Sequence, residues 1–397
     1  MEPPPDPAPE SGERVCPHCG QTVPHLRFCV RCGTAMDQPG GRRAFAAHPG
    51  EPARALRLFS TLFPHLPQGG YDEFRHAFAL GVAAVVILVV AGLYPLALVA
   101  AAVLVPVLFV LYFIEVDLYE RAPAAIIVAT IAWGIAVGLA LGAVARLSGG
   151  TAGDSATSLA ATIPPAVALA LAGAALATLG PLALLRHPAF DDVLDGATFG
   201  AIAAAVYAST VAIVRSADLL GAGLRPGGDA LPWLIRLATL GVAQPVLLAA
   251  TVGSVCAGFW LRYRAPIRDR TALGWLGRPP IAILAGILLL GGAAAGRVAL
   301  ELVGGLLTTT VAAALGLLWL RAAIHVGLVE EANESGIGPP VRCANCGRMT
   351  PGHTFCGWCG VSLQALPRTS SGPGAPEVAA PDPATPGGPP PSPSSAA

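Results

Sequence analysis

Lysine is absent from the 397 residues, and charge of either sign is scarce: Asp, Glu, Lys and Arg make up 12% of the chain. Soluble domains carry about a quarter charged residues, so this deficit argues against an ordinary soluble protein. The formal net charge is zero, which leaves no bulk basic surface for nucleic acid. The opening stretch "MEPPPDPAPESGER" lacks a basic segment followed by an apolar one, so it does not read as a secretory signal peptide. Histidine is missing from the apolar runs apart from His76 at the start of the first and His325 at the end of the last. The runs therefore hold no carboxylate–histidine relay of the kind a transporter uses.

What is abundant is apolar. Hydrophobic residues make up 54% of the chain and the mean hydropathy is +0.64. A spanning helix needs about 20 apolar residues. Such runs occur near 76–93, 96–114, 123–146, 158–185, 194–214, 234–260, 279–296 and 302–320. Residues 76–114 as one helix would measure about 58 Å, beyond any bilayer, so a hairpin at Tyr94–Pro95 is expected. The long 234–260 run contains Pro245 and is expected to kink or tilt. The expected fold class is all-α: a polytopic transmembrane bundle of about eight spans.

Eight spans place both termini on one side, and arginine decides which. Arg262, Arg264, Arg268, Arg270 and Arg278 follow the sixth span; Arg42, Arg43, Arg54, Arg57 and Arg75 precede the first. The opposite face has only Arg146, Arg215, Arg225, Arg236 and Arg297. The positive-inside rule then puts both termini in the cytoplasm of a multi-pass protein of the cell membrane. Arg297 and Glu301, four apart at the start of the last span, are expected to pair or to snorkel.

Eight of the nine cysteines fall into two copies of one pattern outside the apolar region. "CPHCGQTVPHLRFCVRCG" holds Cys16, Cys19, Cys29 and Cys32; "CANCGRMTPGHTFCGWCG" holds Cys343, Cys346, Cys356 and Cys359. Each reads CxxCG, nine residues, CxxCG, and each has Phe before its third cysteine (Phe28, Phe355). Two thiolates two residues apart sit on one tight turn, and two such turns complete a tetrahedral Cys₄ zinc site with no open position. About twenty residues cannot build a core, so the metal supplies the folding free energy, on the order of 10–16 kcal/mol. Disulfide bridging is the rival reading; metal-type spacing and a cytoplasmic location stand against it. The modules resemble the short zinc ribbons of many bacterial membrane and regulatory proteins, and imply two structural Zn²⁺. Arg14, Arg27 and Arg31 on the first, with Arg342 and Arg348 on the second, make only a thin basic face without a stacking array, so no nucleic acid is expected.

The domain order is then 1–13 disordered, 14–34 ribbon, 35–74 linker, 75–328 transmembrane domain, 341–361 ribbon and 362–397 a disordered Pro/Ser/Ala/Gly tail. Within the linker, Leu56, Phe59 and Phe63 recur at helical spacing beside Arg54 and Arg57. An interfacial helix and a plain linker both fit that pattern.

One polar cluster interrupts the apolar runs: "AFDDVLDGATFGAI", with Asp191, Asp192 and Asp195. A solvated loop between spans would explain it. The wording "FDDVLDGATFG" (Phe190, Asp191, Asp192, Asp195, Gly196) also resembles the FDDxxDGxxYG motif of the PrsW-type intramembrane metalloproteases. "VDLYERAPAAIIVATIAWG" is similar to that family's DxxExxP segment, with Asp117, Glu120, Pro123, Trp133 and Gly134 in the matching places. The resemblance covers roughly 75–275 and implies an intramembrane metalloendopeptidase acting on membrane proteins. Departures are equally specific. The family's Glu-Glu pair falls near Ala168 and Leu169, its Glu-Asn near Val211 and Ala212, and its membrane His at Gln244. Metal-assisted hydrolysis needs nitrogen or carboxylate ligands and a base to activate water; these residues offer neither. The reading is a degenerate member that binds a membrane or cytoplasmic protein, with the aspartates capping the next helix. An active protease with ligands elsewhere is the alternative; near the motif it would have Asp191, Asp192, Asp195 and His187, of which His187 and Asp191, four apart, would share a helix face.

Overall fold

The computed structural model describes residues 12–17, 21–36, 73–116, 124–149, 159–187, 190–217, 223–225, 229–265, 273–334, 337–361 and 363. Cys19, Asp117, Glu120, Pro123, the expected interfacial helix and nearly all of both expected disordered ends lie outside these residues. A two-stranded hairpin opens the chain, β1 (Glu13–Val15) and β2 (Thr22–Pro24). Among the described residues nine α-helices follow: α1 (Glu73–Val90), α2 (Tyr94–Val116), α3 (Ala124–Gly149), α4 (Leu159–Leu184), α5 (Val193–Arg215), α6 (Ala230–Arg236), α7 (Gln244–Tyr263), α8 (Pro279–Ala299) and α9 (Glu301–Glu334). A second hairpin closes the described chain, β3 (Gly338–Arg342) and β4 (Met349–Gly352).

Among the described residues seven segments are long and apolar enough to cross a membrane: Tyr94–Phe113, Ala124–Leu147, Ala161–Leu184, Val193–Arg215, Ala230–Tyr263, Pro279–Ala299 and Glu301–Gly327. The first expected span forms as the shorter apolar helix His76–Val90 within α1. The turn between α1 and α2 falls at residues 91–93, ahead of the expected Tyr94–Pro95. Gly92 adopts φ +72° there, and Pro95 sits in the first turn of α2, where its missing N–H has no partner to lose.

Which helices face outward is opposite to the pattern of a soluble protein. α5 and α7 are buried along most of their length. α3, α4, α8 and α9 expose Val128, Leu139, Val144, Leu179, Leu284, Leu288, Leu307, Val311 and Leu315. Helices apolar on every side, the outermost included, suit a hydrocarbon surround. Aromatic side chains mark both ends. Tyr94 stacks on Trp233 with centroids 6.0 Å apart, and Arg236 lies over the same indole. At the other end Tyr263 and Trp275 are largely exposed, as in interfacial aromatic belts.

Small residues let the central helices meet. Gly134, Gly138 and Gly142 form one ridge of α3 against Val206, Thr210 and Val214 of α5. A Cβ on Gly138 would lie 2.5 Å from the Thr210 Cβ. On its other side α5 presents Gly196 and Gly200 to Trp260, Cys256 and Gly253 of α7. Close backbone approach of this kind is how helices associate where no hydrophobic force separates helix from solvent.

The expected kink near Pro245 takes the form of a π-helical segment, Leu237–Ala243, that joins α6 to α7. Gln244 donates its N–H to the Thr239 carbonyl, five residues back. Pro245 would clash with the carbonyl four residues before it in a regular helix, and the wider turn relieves this. The whole Ala230–Tyr263 segment has 34 residues, about 51 Å if straight.

The expected Arg297–Glu301 pairing does not occur. α8 ends at Ala299 and α9 starts at Glu301, which holds φ 57°. The chain reverses between the two residues, so four-residue spacing no longer places them on one helix face. The Arg297 guanidinium donates instead to Thr309 Oγ1, at 3.5 Å.

Candidate metal centres and the aspartate turn

Each cysteine module begins with a hairpin that brings its two cysteine turns together. In both, the pairing ends beside the first cysteine: Val15 opposes Thr22, and Arg342 opposes Met349. The backbone bonds then repeat residue for residue. Cys16 N–H donates to Gln21 O and Cys343 N–H to Arg348 O, both at 2.9 Å. Cys29 N–H donates to Thr34 O and Cys356 N–H to Val361 O, both at 2.8 Å. The glycines after the cysteine pairs hold left-handed backbone, at φ +67° (Gly33), +74° (Gly347) and +72° (Gly360), a conformation that costs a residue with Cβ more.

These turns gather the thiols. The Sγ atoms of Cys343, Cys346, Cys356 and Cys359 lie within 4.8 Å of one another, as do those of Cys16, Cys29 and Cys32. Cys16 and Cys32 are 3.6 Å apart; Cys343–Cys359 and Cys346–Cys356 are each 3.8 Å. A disulfide needs about 2.05 Å, and none of the eight described cysteines is disulfide-bonded. Four sulfurs about 2.3 Å from a common tetrahedral centre would stand about 3.8 Å apart. The spacing in both thiol clusters therefore fits a metal ion held by thiolates.

In the second cluster the Cys359 sulfur lies 3.8 Å from that of Cys343, and Asn345 Nδ2 adds a contact at 3.5 Å. Trp358 N–H points at Cys356 Sγ, 3.4 Å away, while its indole donates to Met349 O and lies under Arg348. Asn345 and Trp358 were not singled out in the sequence, because only their place inside the two CxxC turns aims them at sulfur.

In the aspartate turn, every motif residue but Asp191 has a structural task. Asp192 is the N-cap of α5 and forms a reciprocal capping box with Asp195, whose Oδ2 accepts from the Asp192 N–H at 3.3 Å. Phe190 is buried edge-on against Phe199 at 5.2 Å, and its carbonyl accepts from Trp260 Nε1 at 3.1 Å. Gly196 lies beneath Trp260, where a Cβ would stand 2.7 Å from the ring. Asp191 is exposed. His187 and Asp191 share no helix face, because α4 ends at Leu184 and α5 starts at Val193; the His187 ring sits 5.0 Å from Phe190 and its carbonyl accepts from Arg264. Trp260, which the sequence did not flag, and Arg264, named there only for its charge, reach this turn from 70 and 77 positions away.

At the positions matched to the other motifs of the resemblance stand four apolar residues and one carboxamide. Val211 and Ala212 are buried on α5, Val211 within a cluster of Val137, Tyr207, Leu247 and Leu248. Ala168 is exposed and Leu169 half-buried on α4. Gln244 starts α7 just after the π turn. Trp133 donates to Leu176 O at 3.0 Å and fits over Gly180, so it ties α3 to α4. Among the described residues the two thiol clusters are the groups of three or more His, Cys, Asp or Glu whose ligand atoms converge. Comparison with protein-family models, curated proteins and solved structures finds no match to this chain.

Proposed function

We propose that this is a multi-pass membrane protein whose bundle is a degenerate PrsW-type scaffold, acting by binding a membrane or cytoplasmic protein, with two structural zinc ribbons at its cytoplasmic end. The observation that carries this reading is the capping box. Asp192 and Asp195, the motif's candidate ligands, are committed to the first turn of α5. Asp191 faces outward, and Val211, Ala212 and Gln244 stand where the resemblance would put carboxylate and imidazole. Neither alkyl groups nor a carboxamide can activate water.

The ribbons bind one Zn²⁺ each through Cys16, Cys19, Cys29 and Cys32, and through Cys343, Cys346, Cys356 and Cys359. Closed four-thiolate sites support folding rather than catalysis. The arginine distribution and the need for reduced thiols both support a cytoplasmic location for them.

Metal content of purified, reduced protein tests the reading. Two zinc ions per chain support it; a third, removed by Asp192→Asn or Asp195→Asn, would restore a metalloprotease. A parallel cleavage assay on reconstituted protein with membrane substrates should show no aspartate-dependent product.

A further inference from the structure

The two ribbons stand at opposite ends of the sequence yet lie against each other. Phe28 donates its N–H to Gly357 O at 2.8 Å, and Phe355 donates its N–H to Val30 O at 2.9 Å. In the internal repeat Phe28 corresponds to Phe355, and Val30 to Gly357. The two hydrogen bonds are therefore one bond made twice, about a local two-fold axis. That is the signature of an isologous interface, here formed within one chain. Incidental contact between two surface modules gives no reason for the same donor and acceptor to be used in both directions.

Side chains close the contact. Phe28, Val30, Leu26 and Phe355 are all buried. Trp358 of the second ribbon packs on both ribbons' thiol-lined clusters. Gly357 faces Leu26 so closely that a Cβ would stand 3.0 Å from the Leu26 Cβ and closer still to its methyl. Phe355 also belongs to the packed cluster that holds Phe74 at the start of α1, Leu261 and Ala265 at the end of α7, and Val326 on α9. The paired ribbons are thus seated on one end of the bundle.

We infer that the two ribbons form a single two-metal clasp, in which each ribbon's partner is the other ribbon of the same chain and metal in both is what closes it. The bonding groups, at 28–30 and 355–357, flank the third cysteine of each ribbon, so their geometry is set by the turn that the metal organises. This metal dependence rests on the ribbon reading above; the hydrogen-bonded contact does not. The clasp also fixes topology. Ribbons that touch must lie on one side of the membrane, so the chain crosses an even number of times. Seven long segments among the described residues are odd, and α1, with the shorter apolar helix His76–Val90, is the described helix that makes the number even. Its 18 residues rise about 27 Å, close to the roughly 30 Å of hydrocarbon.

The experiment uses full-length protein with a specific protease site inserted between residues 37 and 72. After purification in detergent the site is cut, and the fragment carrying the first ribbon is followed by size-exclusion chromatography, with metal counted on the same sample. In the wild type the fragment should stay with the bundle, with two metal ions per chain. Gly357→Val should release it and keep both ions, because Val30 occupies the equivalent place in the first ribbon. Adding Leu26→Ala should restore retention by clearing the collision. Leu26→Gln should weaken retention from the other side, and decides the matter should Gly357→Val lose its metal. Stripping both ions with a chelator should also release the fragment. A wild-type fragment that leaves on cutting with both ions bound would overturn the clasp. So would retention in both Gly357→Val and Leu26→Gln, and retention after complete stripping overturns its metal dependence. A wild type that retains the fragment but holds no metal would instead refute the ribbon reading and leave the contact standing.

Discussion

Asn and Ala at the two capping aspartates separate a structural role from a catalytic one. Asp192 accepts from the backbone of the first turn of α5 and Asp195 accepts back from Asp192. Asp192→Ala removes an acceptor and strands an N–H; caps of this kind are worth about 1 kcal/mol, within a range of roughly 0.5–2. It also removes a negative charge from the helix N-terminus, worth about 0.3–1 kcal/mol. Asn keeps the acceptor and loses only the charge. The expected order is wild type, then Asp192→Asn lower by about 0.3–1 kcal/mol, then Asp192→Ala lower by about 1–2 kcal/mol. For a bundle of this size each kcal/mol moves Tm by roughly 2–4 °C, so Ala should cost about 2–8 °C and Asn about 1–4 °C. Asp191→Ala, at an exposed position outside the box, should stay within about 0.5 kcal/mol. Thermal unfolding of the purified protein in one detergent, with metal counted on each variant, reads all of this. A metal or catalytic role predicts a different pattern, because a carboxamide replaces neither the charge nor the basicity of a carboxylate. Equal damage from Asn and Ala, together with loss of one metal ion per chain, would refute the capping explanation.

Three further outcomes follow from the same geometry. Cys16→Ser should release one zinc ion and leave the second ribbon and the bundle intact, and Cys356→Ser should do the converse; metal analysis of purified protein decides, and zinc-free reduced wild type would contradict both. Gly138→Leu should destabilise the bundle by about 1–3 kcal/mol or prevent its assembly, since the new side chain meets Thr210 and the Tyr207 carbonyl. Gly292→Ala, where nothing lies within 4 Å, should stay within about 0.5 kcal/mol, and a Tm comparison of the two variants tests the ridge. Reporter fusions at the two termini should both be active on the cytoplasmic side; opposite sides would exclude an even number of crossings.

Some of this was legible in the chain itself. Long apolar runs with almost no charge have one low-energy outcome in hydrocarbon, a helix whose backbone bonds are all internal. The expected spans accordingly coincide with helices, the first of them with a shorter one. Cysteine spacing is equally local. Two residues between thiols and a glycine after them determine a turn regardless of what surrounds it, and both clusters converge as their pattern implies. The cap at Asp192 is local as well, because it needs only a short side chain three residues ahead of its partner.

The arrangement of the helices was not legible, and the reason is the uniformity of the spans. A helix apolar on every side has no stripe to say which face is inward, so burial cannot be read from periodicity. Only packing selects α5 and α7 as the centre, through glycines whose missing Cβ atoms admit Val206, Thr210 and Trp260. The position of the α1–α2 turn, the π turn before Pro245 and the Thr309 partner of Arg297 depend in the same way on where the chain reverses. The meeting of the two ribbons is the furthest from sequence. Each pattern encodes its own fold by contacts within about twenty residues, but Phe28 and Gly357 become neighbours only when every helix between them has been laid down and returned.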